Sequence, residues 1–210
     1  VTYNAERVLE QTILSVTQQS YKNIEYIIVD GASSDKTIEI AERYQSQSSG
    51  LKNFVIISEP DNGLYDAMNK GLKKATGDYV WFLNAGDTIK TTDITGNISL
   101  ICEREMMPDI LYGETDLTNA DGTVFAERRL KPPKHLTWKS FNMGMLVSHQ
   151  AFIAKRNMAP EYDLTYHFSA DFDWCIRCMK KAKTIINSGL RLVNYQYEGT
   201  TTVNRNALLK

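Results

Sequence analysis

The chain has 210 residues, 42% of them hydrophobic and 23% charged, the composition of a soluble globular protein with room for one sizeable domain. Its formal net charge of −1 gives no overall attraction to polyanions, so no nucleic-acid partner is expected. Three cysteines cannot make a disulfide framework and point to a reducing compartment, and no apolar run approaches the roughly 20 residues that span a bilayer.

With no signal peptide in view, a cytoplasmic location is expected. The opening Val1-Thr2-Tyr3-Asn4 reads as the last turn of a strand, with an N-terminal piece expected before it. From Glu6 to Gln19, the residues Val8, Leu9, Thr12, Ile13 and Val16 recur at helical spacing and predict an amphipathic helix on a sheet. The β-branched run Ile24–Val29 predicts a buried strand ending at Asp30-Gly31. Ser34 is the expected N-cap of a helix from Asp35 to about Gln45. Asn53–Ser58 predicts a third strand, followed by the loop Glu59-Pro60-Asp61-Asn62-Gly63 and a helix from Leu64 to Ala75.

The stretch Tyr79–Asp87, YVWFLNAGD, turns from an apolar strand to a polar end. A carboxylate placed there after a glycine suits a hydrated divalent cation on a diphosphate; the alternative is an ordinary Asn-Ala-Gly-Asp turn. The alternation of strand and helix over the first 87 residues predicts a mostly parallel sheet flanked by helices in a single α/β domain. Right-handed crossovers would then bring Asn4, Asp30, Pro60-Asp61 and Asp87 to one edge, where such sheets bind ligands.

Past Asp87 the expected elements are a helix over 93–106, a strand over 109–112, and a hairpin around Asn119-Ala120-Asp121-Gly122. A strand over 145–148, a short helix over 150–154 and a helix over 170–182 follow. Late strands are expected at 185–186 and 190–197. Nucleotide-binding G-x-G-x-x-G and P-loop motifs are missing, and His135, His149 and His167 lack zinc-motif spacing. Cys175 and Cys178 share a helical face and read as core packing, and Asp173 with Arg177 as an i, i+4 ion pair. Asp30 is read as a ligand of a base or ribose, whereas Asp35 is read as favouring a helix N-terminus.

VTYN, VDGASSDKT, EPDNGLYDAMNKGLKKATGDYVWFLNAGD and SADFDW, in this order, resemble the inverting family-two glycosyltransferases of the GT-A, nucleotide-diphospho-sugar transferase fold. The resemblance is closest to bacterial polysaccharide-assembly members. It implies transfer of a sugar from a nucleotide-diphosphate sugar donor to a saccharide or lipid-linked saccharide acceptor in cell-surface polysaccharide synthesis. Thr2, Tyr3, Asn4, Asp30, Asp61 and Asn69 are the implied nucleotide-binding residues, Asp87 the ligand of Mn²⁺ or Mg²⁺, and Asp171 the general base. Residues 1–88 become the nucleotide-sugar half and 89–210 the acceptor half. Peripheral association with membrane-bound assembly machinery at the inner face is implied as well. Asn84 and Gly86 stand where many members carry Asp, Ala170 replaces a frequent Glu, and YEGTTT (Tyr197–Thr202) is only loosely similar to the family's closing turn. Two other readings stay open. A sugar-nucleotide pyrophosphorylase would show a glycine- and arginine-rich N-terminal loop, and a sugar-nucleotide binding module without catalysis would fail to hydrolyse donor with Mn²⁺.

Overall fold

The computed structural model describes residues 1–48 and 50–197. The first strand β1 (Glu25–Asp30) pairs in parallel with β2 (Asn53–Ser58), with Glu25 opposite Asn53 and Asp30 opposite Ser58. Helix α1 (Leu9–Thr17) precedes β1, α2 (Thr37–Gln47) joins the two strands, and α3 (Leu64–Lys74) follows β2. Thr2 makes a parallel bridge to Asp30: its N–H donates to the Val29 carbonyl at 2.9 Å, and Gly31 N–H donates to the Thr2 carbonyl at 3.0 Å. On the other side, Ala85 N–H donates to the Val1 carbonyl at 3.1 Å, and the Val1 nitrogen donates to the Leu83 carbonyl at 3.0 Å. Residues 1–2 therefore lie between β1 and the segment after β3 (Tyr79–Trp81) and bond to both. The expectation that Asp30 and the end of the Tyr79 stretch share one edge is met.

The larger sheet is mixed, which corrects the expectation of a mostly parallel one. Its order is β3, β7 (Phe152–Lys155), β5 (Ile110–Thr118), β8 (Ile185–Gln196), β4 (Thr88–Ile89), with β6 (Val124–Glu127) on β5. Among the described residues the one parallel pairing in it is β5–β8; β3–β7, β5–β7, β4–β8 and β5–β6 are antiparallel. The cause lies in the connections. After β3 the chain stops inserting a crossover helix between each pair of strands, and hairpin-like returns need no such helix.

Three local expectations change with it. Residues 145–148 form no strand, because the carbonyls of Met145 and Leu146 accept hydrogen bonds from the Arg128 guanidinium (2.6 and 3.2 Å) in place of a ladder. The short helix expected over 150–154 is a single 3₁₀ turn, His149–Ala151, followed by the buried strand β7; a four-residue apolar run has no period to tell these apart. The two late strands are one strand, β8, with Gly189 at φ +69° where its pairing to β5 slips register. Of the YEGTTT segment, residues 198–202 lie outside the described residues.

The core centres on α5 (Ala170–Lys181) packed against the mixed sheet. Trp174, Cys175 and Cys178 are fully buried. Met179 is buried with them, whereas Phe172 and Ile176 are only partly covered. Trp174 stacks on Tyr162 (centroids 5.2 Å, 11°) and meets Phe82, His149 and Phe152 edge-on. A buried Trp covers roughly 150–250 Å², or about 4–6 kcal/mol of apolar burial, so this cluster is a main anchor between the two halves. An apolar cavity of about 460 Å³ lies between β1, α3 and β3, lined by Ile27, Val29, Leu72, Trp81 and Ile98; none of Asp30, Asp61, Asp87 and Asp171 lines it.

Candidate active site

The edge formed by residues 2–4, the end of β1 and the loop after β2 gathers most of the expected nucleotide residues. Asp30 is wholly buried and its carboxylate is occupied. It accepts from Ser33 N–H (2.9 Å), from the Ser33 hydroxyl, and from the Ser58 hydroxyl (2.8 Å). Asn4, in the left-handed region at φ +46°, clasps the same loop: its N–H donates to Ser33 Oγ and its side-chain oxygen accepts from Ser34 N–H. Asp35 accepts from Thr37 N–H at 3.0 Å and from Glu6 N–H at 3.1 Å, so it secures the start of α2, which begins at Thr37 rather than at Asp35. Tyr3 is 66% exposed, and Thr2 is buried with its hydroxyl oxygen unpartnered. Gly31 sits between two of these residues. A Cβ placed on it would lie 2.6 Å from Asp61 Oδ2 and 3.3 Å from the Tyr3 ring.

Asn69 is used differently. Its amide N–H donates to the Tyr162 carbonyl (3.0 Å) and its oxygen accepts from Tyr162 N–H (2.7 Å), which fastens α3 to the chain entering α5. The clasp takes one N–H and one oxygen lone pair of that amide, and Asn69 is buried.

The turn after β3 carries Asp87. Gly86, at φ +100°, gives the backbone its reversal, and Asp87 N–H closes the turn on the Asn84 carbonyl at 3.0 Å. The Asp87 side chain is 3% exposed; Oδ2 accepts from Gln150 Nε2 (3.0 Å) and Oδ1 from Gln196 N–H (3.1 Å). Burial pushes its carboxyl up to about 7, with the hydrogen bonds from Gln196 and Gln150 opposing. Ser148 fixes the Gln150 amide by donating to its Oε1 at 2.6 Å. Among the described residues no group of three or more His, Cys, Asp or Glu side chains is placed to hold a metal. The oxygen chemistry of this turn still suits a hard cation. The Asp87 oxygens carry lone pairs beyond those taken by Gln150 and Gln196, and Asn84 Oδ1 is a buried carbonyl oxygen with no partner among the described residues.

Asp171 stands in the first turn of α5. Its Oδ1 accepts from the Tyr65 hydroxyl (3.2 Å) and from Phe172 N–H (2.9 Å), and its Oδ2 has no hydrogen-bond partner among the described residues. Burial, followed by the charge of Asp171, raises the Tyr65 phenol well above its ordinary value, so Tyr65 stays a donor. Burial raises the Tyr195 phenol too, with Asp87 and then Asp171 adding to it, so both carboxylates act on one hydroxyl. Arg128 also lies within the field of Asp171 and Tyr195, while burial lowers its pKa. Sequence reasoning missed Tyr195, Arg128 and Gln150 as site residues. They sit in late or irregular segments, and only the fold brings them near Asp87 or Asp171. The expected Asp173–Arg177 ion pair is present at 2.6 Å.

Residues 1–159 match the family model described as Glycosyl transferase family 2. This chain belongs to glycosyl transferase family 2. Among curated family members, the amylovoran biosynthesis glycosyltransferase AmsB of Erwinia amylovora is 34% identical over 205 residues, covering 92% of this chain and 66% of that protein. A PGL/p-HBAD biosynthesis glycosyltransferase of Mycobacterium bovis is 28% identical over 183 residues, covering 84% of this chain and 66% of that protein. The chain thus spans slightly less than two thirds of these relatives. In fold it matches S. aureus TarS 1–349, solved with UDP-GlcNAc, at TM-score 0.77 and 19% identity over 96% of this chain and 58% of that one. It also matches the mannosyltransferase PcManGT of Pyrobaculum calidifontis, solved with GDP-Man and Mn²⁺, at TM-score 0.65 and 16% identity over 95% of this chain and 56% of that one. The GT-A fold expected from the sequence is therefore present. Among the described residues no helix is long and apolar enough to cross a membrane.

Proposed function

We propose that this family-two chain transfers a sugar, with inversion at the anomeric carbon, from a nucleotide-diphosphate sugar to a saccharide or lipid-linked saccharide acceptor. The setting is cell-surface polysaccharide synthesis at the inner face of the membrane. The observation that carries the reading is the pair Asp87, held by the N–H of Gln196 next to Tyr195, and Asp171, held by the Tyr65 hydroxyl, which come from different segments of the chain and whose charges both add to the rise that burial imposes on the Tyr195 phenol. In-line displacement needs a base on one side of the sugar and charge stabilisation for the departing diphosphate on the other.

Residues 1–88 form the donor half, with Thr2, Tyr3 and Asp61 facing the nucleoside and with Asp30 and Asn4 holding the loop that carries it. Asp87, with Asn84 Oδ1, would hold Mn²⁺ or Mg²⁺ together with the donor phosphates, since a single carboxylate leaves most of an octahedral shell to other oxygens. Such a cation supplies electrostatic stabilisation of the leaving diphosphate. Relatives' names and complexes support the donor class: AmsB is an amylovoran biosynthesis glycosyltransferase, and TarS is solved with UDP-GlcNAc.

In the acceptor half Asp171 is the general base. As the acceptor oxygen bonds to the anomeric carbon and the bond to the diphosphate oxygen breaks, the hydroxyl proton passes to Asp171. Oδ2 is the open oxygen for that proton, because Oδ1 is held by Tyr65 and by Phe172 N–H. Asp171→Asn tests this. It should leave nucleotide affinity and melting temperature close to the parent's and lower turnover by roughly 10²–10⁴-fold. Transfer at the parent rate by a variant that still binds the donor would remove Asp171 from the role.

A further inference from the structure

We propose that Tyr65 is a positioning residue for the transfer: its hydroxyl, set by a stack of three aromatic rings, holds one oxygen of Asp171 so that the other meets the acceptor. The inference rests on the reading of Asp171 as general base and names the group that orients it.

The two residues belong to different halves of the chain. Tyr65 is the second residue of α3, and Asp171, 106 positions later, is the second residue of α5. The terminal torsion of an aspartate is soft, so its two oxygens exchange places unless one of them is held. The Phe172 N–H that donates to Oδ1 belongs to the same helical turn and travels with it. The Tyr65 hydroxyl donates to that oxygen from another helix, at 3.2 Å, and so fixes the carboxylate relative to the half proposed to hold the donor. The backbone N–H groups of Asp171 and Ala170 bear on the phenol oxygen from the other side. Ser169, at the N-cap of α5, makes no side-chain cap bond, so Tyr65 meets the open end of the helix in its place. Burial and the neighbouring charge keep the phenol protonated, so it donates to Asp171 without competing for the acceptor's proton.

The ring that carries this hydroxyl has little freedom. Buried Tyr65 stacks on Tyr162 (centroids 5.6 Å, 21°), and Tyr162 stacks in turn on Trp174 (5.2 Å, 11°). Trp174 lies three residues after Asp171 on α5 itself, so the stack leaves α3 at the donating residue and returns to the helix that carries the accepting one. Each further member is pinned by a hydrogen bond. Trp174 Nε1 donates to the Pro160 carbonyl (2.7 Å), and the Tyr162 hydroxyl shares a bond of 2.6 Å with His149 Nε2. Asn69, one turn after Tyr65 on α3, clasps the Tyr162 backbone at both its N–H and its carbonyl. Packing alone would be served by Phe at position 65; the hydroxyl serves the carboxylate.

The test is Tyr65→Phe, which keeps the ring in the stack and removes only the hydroxyl, measured beside Asp171→Asn and the double variant. The reaction followed is Mn²⁺-dependent release of nucleoside diphosphate from whichever of UDP-GlcNAc, UDP-glucose, UDP-galactose and GDP-mannose the parent turns over, with water in place of the acceptor. Tyr65→Phe should lower kcat about 10- to 100-fold, with the donor KM within about 2-fold of the parent's. Added to Asp171→Asn, it should slow the reaction less than about 2-fold further, since no base is left to orient. The proposal is overturned by a parental kcat in Tyr65→Phe, or by a loss that multiplies with that of Asp171→Asn. A raised donor KM at unchanged kcat also overturns it, placing Tyr65 in donor binding. So does loss of the fold, or a melting temperature more than about 5 °C lower at unchanged kcat, which would make the hydroxyl a cap for α5 only. In each of these cases the base reading stands wherever Asp171→Asn alone is slow. A parental rate in Asp171→Asn, or no release by the parent from any of the four sugars, removes the base reading and the proposal together.

Discussion

Replacing Asp87 by Asn should make the protein more stable at neutral pH, although it removes the carboxylate proposed to hold the cation. Folding encloses this carboxyl and raises it from 3.8 to about 7. Below about pH 4 both the folded and the unfolded chain hold the proton, and no penalty exists. Between about pH 4 and 7 the unfolded chain ionises first, so stability falls as pH rises; above about 7 the whole penalty is present. Moving a carboxyl from 3.8 to about 7 corresponds to about 4 kcal/mol. Asn gives part of this back. It can keep the bond from Gln196 N–H, but its NH₂ would face Gln150 Nε2, so Gln150 must flip. The Ser148 hydroxyl can donate or accept and tolerates the flip, leaving a loss of about 1–2 kcal/mol in charge-assisted bonding. The net gain is about 2–3 kcal/mol, or about 5–10 °C in melting temperature for a chain of this size. Thermal unfolding of parent and variant in EDTA from pH 4 to pH 8 measures it. The variant should melt slightly below the parent at pH 4, overtake it through pH 5–7 and then level off above it. A variant that melts below the parent at pH 8, or a difference that ignores pH, would refute the reasoning.

Asn69→Leu should cost about 2–4 kcal/mol, because both Tyr162 backbone groups lose their buried partner, while nucleotide affinity in the folded fraction stays at the parent value. A selective loss of nucleotide binding without loss of stability would restore the role first expected for Asn69. Cys102, Cys175 and Cys178 are buried, and burial raises all three thiols, Cys178 to about 12. Maleimide at pH 8 should therefore label the native protein more than about 100-fold more slowly than the denatured one; rapid native labelling of any of the three would contradict the packing of α5 and α4 (Ile94–Arg104).

The first 87 residues were legible because their signals are local. Apolar runs such as IEYIIV, broken by Asp30-Gly31 and by Pro60-Asp61-Asn62-Gly63, mark strand ends, and parallel topology then dictates which ends meet. What escaped the sequence depends on contacts between distant segments. The pairing of β5 with β8 joins residues about 75 positions apart, and nothing in either segment announces parallel rather than antiparallel pairing. Residues 145–148 look like a strand until Arg128 is seen to take their carbonyls. Asp30 and Asp61 illustrate the same limit at the site. Both end a strand or follow one, yet which of them is free depends on two serines, one of them 28 residues further along the chain.

Residues 1–3 have a further consequence, as a gauge of length. Val1 is fixed to the turn that carries Asp87, Thr2 is fixed to the end of β1, and Tyr3 follows immediately. At about 3.3 Å per extended residue, the two steps from Val1 to Tyr3 span about 6–7 Å, of the order of one ribose ring. The distance between the edge at Tyr3 and the turn that carries Asp87, the two places proposed above for nucleoside and diphosphate, is thereby written into backbone hydrogen bonds rather than into side chains. Substitutions along this edge leave that spacing unchanged, whereas an insertion or deletion between Val1 and Tyr3 would alter it.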